Sequence, residues 1–185
     1  MMPMSYLRGV HHGETFMNGV FTVDDYRGAQ STRFVGSYDD LRASKYRILA
    51  LAFAVARQRE RGHDWHVHHI VERMHLADVD VRGTLAHAYE EELPCVLVHN
   101  DTEHKSYTST LGSPEGTELF RSGLPRRLQD RSALAQRQFE KPDARRDLRQ
   151  RARLLSEMYD NHYEGDRPLQ LIARNVWNEV LLTIG

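Results

Sequence analysis

One stretch decides how this chain is interpreted: Asp64-Trp65-His66-Val67-His68-His69-Ile70-Val71-Glu72. Three histidines fall within four positions, in a run whose aromatic and β-branched residues are typical of a β-strand. A strand whose side chains serve only packing would carry apolar residues at most of these positions rather than three imidazoles. Neutral imidazole is both a base with a pKa near neutrality and a common metal ligand. The stretch therefore predicts a strand that carries a chemical site.

Side chains alternate between the two faces of a strand. One face of this strand receives Trp65, Val67, His69 and Val71. The other face receives His66, His68, Ile70 and Glu72. Adjacent histidines thus point in opposite directions, and both can serve one site only where the strand ends or twists.

A second short strand is predicted over Cys95–Val98, an apolar run that stops at His99-Asn100-Asp101. Asn100 and Asp101 are both suitable N-caps for a helix that extends to Leu111, before Gly112. His104 lies in the first turn of that helix. The order predicted here is strand, long connector, strand and helix.

The remaining segments are predicted to be mostly helical. Residues 1–36 are expected to form a loop, with one short strand or hairpin within Phe16–Tyr26. A helix is predicted over Ser37–Gln58, with a capping signal at Ser37 and a buried stretch at Ile48–Ala56. Further helices are predicted over 84–91, 125–140, 143–160 and 168–182, and the apolar stripe of the last one is assigned to the core.

The fold class expected is α+β, a mostly helical single domain holding two short antiparallel strands and a helix. Its regions are an N-terminal loop and helix at 1–62, the strand–strand–helix unit at 63–112 and a helical region at 113–185. The length of 185 residues, with 40% hydrophobic and 28% charged residues, fits one globular domain.

Composition excludes several classes of protein. The longest apolar run, Ile48–Ala56, is far shorter than the roughly 20 residues that cross a bilayer. The N-terminal residues lack the apolar core of a signal peptide, so we expect a cytoplasmic protein or one delivered without such a peptide. With Cys95 as the only cysteine, no intrachain disulfide or cysteine-built zinc site can form.

Positive charge is concentrated between Arg121 and Arg153, where 11 Lys or Arg residues face 4 Asp or Glu residues, a local charge of +7. Such a segment is suited to contacts with phosphate groups. These contacts bind the nucleic-acid backbone and do not depend on the base sequence. A solvated arginine-rich surface without a ligand is the alternative. The candidate phosphate contacts are Lys105, Arg126, Arg127, Arg145, Arg146 and Arg149.

The strand with His68-His69-Ile70-Val71-Glu72, the second strand, and Asn100 and His104 at a helix start together resemble the ββα-metal finger of HNH (His-Me finger) nucleases. The "HHIVE" form is similar to the nuclease domains of bacterial polymorphic toxins. The resemblance covers about Trp65 to Leu111, roughly a quarter of the chain.

This resemblance implies roles for individual residues. His69 would be the general base, Asn100 would orient it or fix the loop, and His68 and His104 would hold one divalent ion. Mg²⁺ is the expected ion, with Mn²⁺, Ni²⁺ or Zn²⁺ as alternatives. Glu72 would anchor the connector or support a ligand.

The chain departs from the family pattern at the helix. Asn100 and His104 are closer together than usual, and Thr108 stands where a second histidine could follow one turn later. His99 and Asp101 are therefore alternative ligands. A structural zinc site of His66, His68 and His104 also remains open.

The function expected is metal-dependent hydrolysis of nucleic-acid phosphodiester bonds, in DNA rather than RNA, without membrane insertion. The resemblance further implies an antibacterial toxin or effector paired with an immunity protein. Two alternatives remain: a nucleic-acid-binding protein with a structural metal and no catalysis, and a protein-interaction module whose histidines are incidental.

Overall fold

The histidine-rich stretch forms an edge strand of a five-stranded antiparallel sheet. The computed structural model describes residues 15–17, 19–24, 33–52, 64–77, 79, 93–104 and 144–184. Together they form a single α+β domain. The strands are β1 (Thr15–Met17), β2 (Val20–Val23), β3 (Arg33–Gly36), β4 (Trp65–His69) and β5 (Cys95–His99), in the order β1-β2-β3-β5-β4.

The predicted antiparallel pair of strands is confirmed, since His68 lies opposite Val96 and His69 opposite Cys95. It is not a separate two-stranded unit, however. β3 pairs with β5, with Val35 opposite Val96, and β1 and β2 continue the sheet beyond it. Residues predicted mainly as loop thus supply three of the five strands.

The β1–β2 hairpin explains part of that difference. Met17 pairs with Val20, which leaves only two residues for the turn, and Gly19 there has a φ of 86°. A positive φ is easily adopted by glycine, so Gly19 permits the tight turn that joins the two strands.

One long helix packs on the first face of the sheet. Helix α1 (Tyr38–Ala52) begins where predicted, with the Asp40 N–H donating to Ser37 Oγ at 3.1 Å. Its apolar side packs against sheet residues, but Tyr46 on its other side is exposed. Of the stretch predicted to be buried, Ile48 and Leu49 are buried and Ala50 is partly buried. Residues 53–56, where burial was also predicted, lie outside the described residues.

The opposite face of the sheet is covered by two helices that pack on each other, α3 (Ala144–His162) and α4 (Arg167–Ile184). A short helix, α2 (Arg73–Ala77), follows β4. The predicted break lies at Gly165, whose φ is 90°. The stripe assigned to the core is confirmed: Leu171, Ile172, Val176 and Val180 are buried, and Leu181 is partly buried against them.

Two helices predicted at 84–91 and 125–140 lie outside the described residues, as does the predicted helix beyond His104. Across the part of the chain that the structure describes, no helix has both the length and the apolar character needed to span a membrane.

Candidate functional site

The two faces of β4 present different histidines. His66 and His68 lie opposite Val98 and Val96, whose side chains belong to the core beneath α3 and α4. His69 lies opposite Cys95, which belongs to the cluster beneath α1. The alternation predicted from the sequence is therefore confirmed for Trp65–His69, and the adjacent pair His68-His69 is divided between the faces. Beyond His69, where β4 ends, the prediction is wrong, because Ile70 and Val71 are both buried in the core beneath α3 and α4.

His104 joins the first of these faces. It ends a five-residue π-helical turn, Asn100–His104, which directly follows β5. Its ring lies 5.2 Å, centroid to centroid, from His66 at an interplanar angle of 17°. It lies 5.2 Å from His68 at an angle of 78°. The chain thus brings together two histidines of one strand and one from the turn after the next strand.

His68 is buried, and a carboxylate lies beside it. The Nε2 atom of His68 is 3.5 Å from Oε1 of Glu72, which follows the end of β4. Burial raises the pKa of Glu72 to about 7. This carboxyl group therefore changes charge close to neutral pH, next to a candidate metal ligand.

Helix α3 fixes the chain segment that carries Glu72. The Glu72 N–H donates to Tyr159 Oη at 2.8 Å, and the Tyr163 hydroxyl donates to the carbonyl of Ile70 at 2.9 Å. Tyr159 Oη also lies 2.8 Å from Nδ1 of the buried His75. Burial and the nearby Glu72 carboxylate raise the pKa of Tyr159 well above its ordinary value, so its hydroxyl stays protonated.

A second polar network holds the turn that carries His104. Arg33 Nη1 donates to Glu103 Oε1 at 2.7 Å, and Arg33 Nε donates to Asp166 Oδ2 at 2.9 Å. Glu103 Oε2 also accepts the His99 N–H at 3.3 Å. Burial lowers the pKa of Arg33, but the charges and hydrogen bonds of Asp166 and Glu103 outweigh it and hold the pKa above its ordinary value. A permanently charged arginine thus ties β3 to the turn and to the corner between α3 and α4.

His69 has a different environment. Its ring is stacked on that of Tyr38, at the start of α1, with centroids 5.7 Å apart and an interplanar angle of 9°. The residue that the resemblance makes a general base thus lies on the α1 face, whereas the candidate ligands His68 and His104 lie on the α3–α4 face. β4 is the edge strand of the described sheet, next to β5. Its outer edge can therefore be reached from the α1 face and from the α3–α4 face.

The donor set fits a divalent ion held by two protein ligands. Imidazole nitrogens suit Zn²⁺, Cu²⁺, Fe²⁺ and Ni²⁺ and leave positions for water or phosphate oxygens. A preformed site with more ligands does not fit, because no three His, Cys, Asp or Glu side chains among the described residues are grouped so that they could hold an ion. His68 and His104, with adjoining rings, are the pair that the geometry offers.

The other candidates are distributed as follows. Asn100 begins the turn and is partly buried. The His99 ring contacts that of Trp65 edge-on at 5.4 Å, on the α1 face and away from His68. The side chain of Asp101, and Lys105, Arg126 and Arg127 as whole residues, lie outside the described part. Arg145 and Arg146 lie in α3 with side chains outside it, and Arg149 is exposed on α3.

Five residues of these networks were not found from the sequence: Arg33, Glu103, Tyr159, Tyr163 and Asp166. Each acts through a partner far along the chain, such as Arg33 with Asp166 or Tyr159 with Glu72. Local periodicity carries no signal for such pairs. Glu103 alone had a positional clue, since it precedes His104.

Comparison with protein-family models, with curated proteins and with solved structures finds no significant match.

Proposed function

We propose that this protein is a metal-dependent endonuclease of the ββα-metal type. The observation that carries the proposal is the position of His104 beside His68, with ring centroids 5.2 Å apart. Two antiparallel strands and the turn after the second one create this contact. The resemblance assigns ligand roles to the same two residues.

In this proposal His68 and His104 hold one divalent ion. Mg²⁺ is the ion that the resemblance implies, whereas two imidazole ligands by themselves favour Ni²⁺ or Zn²⁺, and Mn²⁺ is a further alternative. A bound ion supplies positive charge for the phosphate and the leaving oxygen. Glu72 lies beside His68 and helps to orient its ring. Arg33 acts at a distance, because it fixes Glu103 and with it the turn that ends in His104.

Two histidines compete for the role of general base. His69 has the role by resemblance, and its ring is stacked on that of Tyr38. His66 lies on the same face as His68 and His104 and is exposed. A phosphate at the outer edge of β4 could be approached from either face, so the variants His69→Ala and His66→Ala distinguish the two assignments.

The substrate class proposed is nucleic acid, with DNA preferred to RNA. The support is the arginine-rich segment, of which Arg149 and Arg153 are exposed on α3. Backbone contacts of this kind would make binding salt-dependent and independent of sequence. An antibacterial toxin or effector with a cognate immunity protein, either cytoplasmic or delivered without a signal peptide, is the biological setting proposed.

Nicking of supercoiled plasmid in Mg²⁺ or Mn²⁺ tests this function. Wild type should nick and EDTA should stop it, and removal of the true base should lower the rate by about 10²-fold or more. If His69→Ala loses activity and His66→Ala keeps it, the base is His69; the reverse result assigns His66. Wild type that nicks no better than both single variants with every metal would contradict catalysis.

A structural metal site without catalysis is the second candidate. The observation in its favour is a further imidazole next to the pair, since the His66 ring is stacked on that of His104. The three described histidines do not form a ready three-ligand group, so such a site needs His66 to reorient when metal binds. Such a site would bind Zn²⁺ tightly and raise the unfolding temperature without any turnover. Metal analysis of purified wild type and His68→Ala, combined with thermal unfolding, tests it. Absence of bound metal in both proteins, with no nicking, would leave the histidines incidental.

A further inference from the structure

Helix α1 has an outer face that combines aromatic rings with positive charge. Tyr38 is 40% exposed and Tyr46 is 62% exposed, and Arg42 between them is also exposed. Positions i, i+4 and i+8 follow one side of a helix, so these three side chains form a row. At a rise of about 1.5 Å per residue the row is about 12 Å long.

Both ends of this row are attached to β4. At one end the Tyr38 ring is stacked on His69. At the other end Lys45 donates from Nζ to the carbonyl of Trp65 at 3.1 Å, and the same Nζ lies 5.1 Å from the centroid of the Tyr46 ring. The rings are therefore held beside the strand that carries the candidate site, with Tyr46 in a cation–π contact.

The charge of this surface is positive beyond the first turn. Asp39 and Asp40 lie in that first turn, whereas the helix from Leu41 to Ala52 contains three cations, Arg42, Lys45 and Arg47, and no acid. An anionic ligand that also offers flat apolar faces would match both properties of the row.

We propose that the row Tyr38–Arg42–Tyr46 binds unpaired nucleotides, with bases on the tyrosine rings and phosphates at the cations. This inference rests on the proposed nuclease function and narrows its substrate to nucleic acid that is single-stranded at the contact. The row has the length of roughly three stacked nucleotide steps at about 3.4 Å each.

Unpaired nucleic acid is favoured over duplex for a physical reason. In a duplex the faces of the bases are stacked on their neighbours and are not available to a tyrosine ring. In a single strand every base offers a face, and stacking on aromatic side chains binds it without regard to sequence. The contact between Tyr38 and His69 would bring the bound strand to the edge of β4.

Fluorescence anisotropy in EDTA tests the proposal without any need for turnover. The probes are a short fluorescein-labelled oligodeoxynucleotide of mixed sequence and the same strand in a blunt duplex. Wild type should bind the single strand more tightly. Tyr46→Leu should weaken single-strand binding about tenfold, whereas Tyr46→Phe keeps the ring and should stay within about twofold of wild type. Arg42→Gln should weaken binding and reduce its salt dependence.

Leu182→Ala is the matched control, since Leu182 is an exposed apolar residue on α4. If Tyr46→Leu and Arg42→Gln bind the single strand as Leu182→Ala does, the proposal is overturned and the row faces some other partner, such as an acidic protein. If wild type nicks plasmid but Tyr46→Leu and Arg42→Gln bind the single strand as wild type does, this inference is refuted and the nuclease function is not. If Tyr46→Leu and Arg42→Gln weaken single-strand binding but wild type does not nick plasmid, the nuclease function is refuted and the row remains a binding site for single-stranded nucleic acid.

Discussion

The imidazole rings of His68 and His104 lie nearly perpendicular to each other, with centroids 5.2 Å apart. His68 comes from β4 and His104 from the turn after β5, so the contact exists only because the two strands pair in one register. Two networks hold it in place: Tyr159 and Tyr163 fix the segment after β4, and Arg33 fixes the turn.

Loss of the Arg33 side chain should destabilise the protein strongly. Arg33→Met would leave the carboxylate of Asp166, which is only 8% exposed, without its buried partner. Removing one member of a buried ion pair costs about 3–5 kcal/mol. We expect the urea midpoint to fall accordingly, and the affinity for divalent metal to fall with it.

The matched control is Arg174→Gln, which breaks the ion pair with Asp160 at side chains 40% and 37% exposed. A pair so open to solvent contributes about 1 kcal/mol or less. Equal losses of stability in the two variants would contradict the role given to Arg33.

Removal of one hydroxyl should loosen the segment that carries Glu72. Tyr159→Phe leaves the Glu72 N–H without its acceptor at 2.8 Å and His75 Nδ1 without its contact. An orphaned buried polar group costs about 1–3 kcal/mol, so chemical denaturation should show a loss of that size. Tyr46→Phe, on an exposed ring, should show almost none, and a similar loss there would argue against the network.

The free energy of unfolding should decrease as pH rises, because of Glu72. Its pKa is about 7 in the folded protein against 4.5 as the ordinary value, so the folded state binds this proton more tightly. The unfolding free energy therefore decreases as pH rises from about 4.5 to about 7, by at most about 3 kcal/mol. In EDTA, Glu72→Gln should unfold at higher urea than wild type at pH 8 but not at pH 4. The opposite order at pH 8 would mean that the carboxylate stabilises the fold.

Cys95 should be unreactive in the native protein. The thiol is buried, and burial together with the Glu72 carboxylate raises its pKa far above the ordinary value, so almost no thiolate exists at pH 8. A colorimetric disulfide reagent should react only at the rate of unfolding and completely in urea. Rapid labelling of native protein would show that β5 opens easily.

Local features were predictable from the sequence. Ser37 begins α1 because its hydroxyl accepts the Asp40 N–H, and Gly165 separates α3 from α4 because it can adopt a positive φ. Alternation separated His66 and His68 from His69. A further local signal was available at Asn18-Gly19, a dipeptide that favours two-residue hairpins.

Non-local features were not predictable in the same way. The pairing of β3 with β5 joins strands that are not consecutive, and it converts an expected two-stranded unit into a five-stranded sheet. The contact between Arg33 and Asp166 likewise depends on how α3 and α4 pack across the sheet. Periodicity reports which face of an element is buried but not which distant residue it meets.

The most direct test of the central claim is a metal titration of plasmid nicking by wild type and by the double variant His68→Ala, His104→Ala. His162→Ala, at the end of α3 with its ring against that of Tyr163, is the control for loss of a histidine. The account predicts that wild type and His162→Ala nick the plasmid at the same metal concentration, that EDTA abolishes nicking and that the double variant does not nick. Wild type that nicks no faster than the double variant at any metal concentration would contradict it.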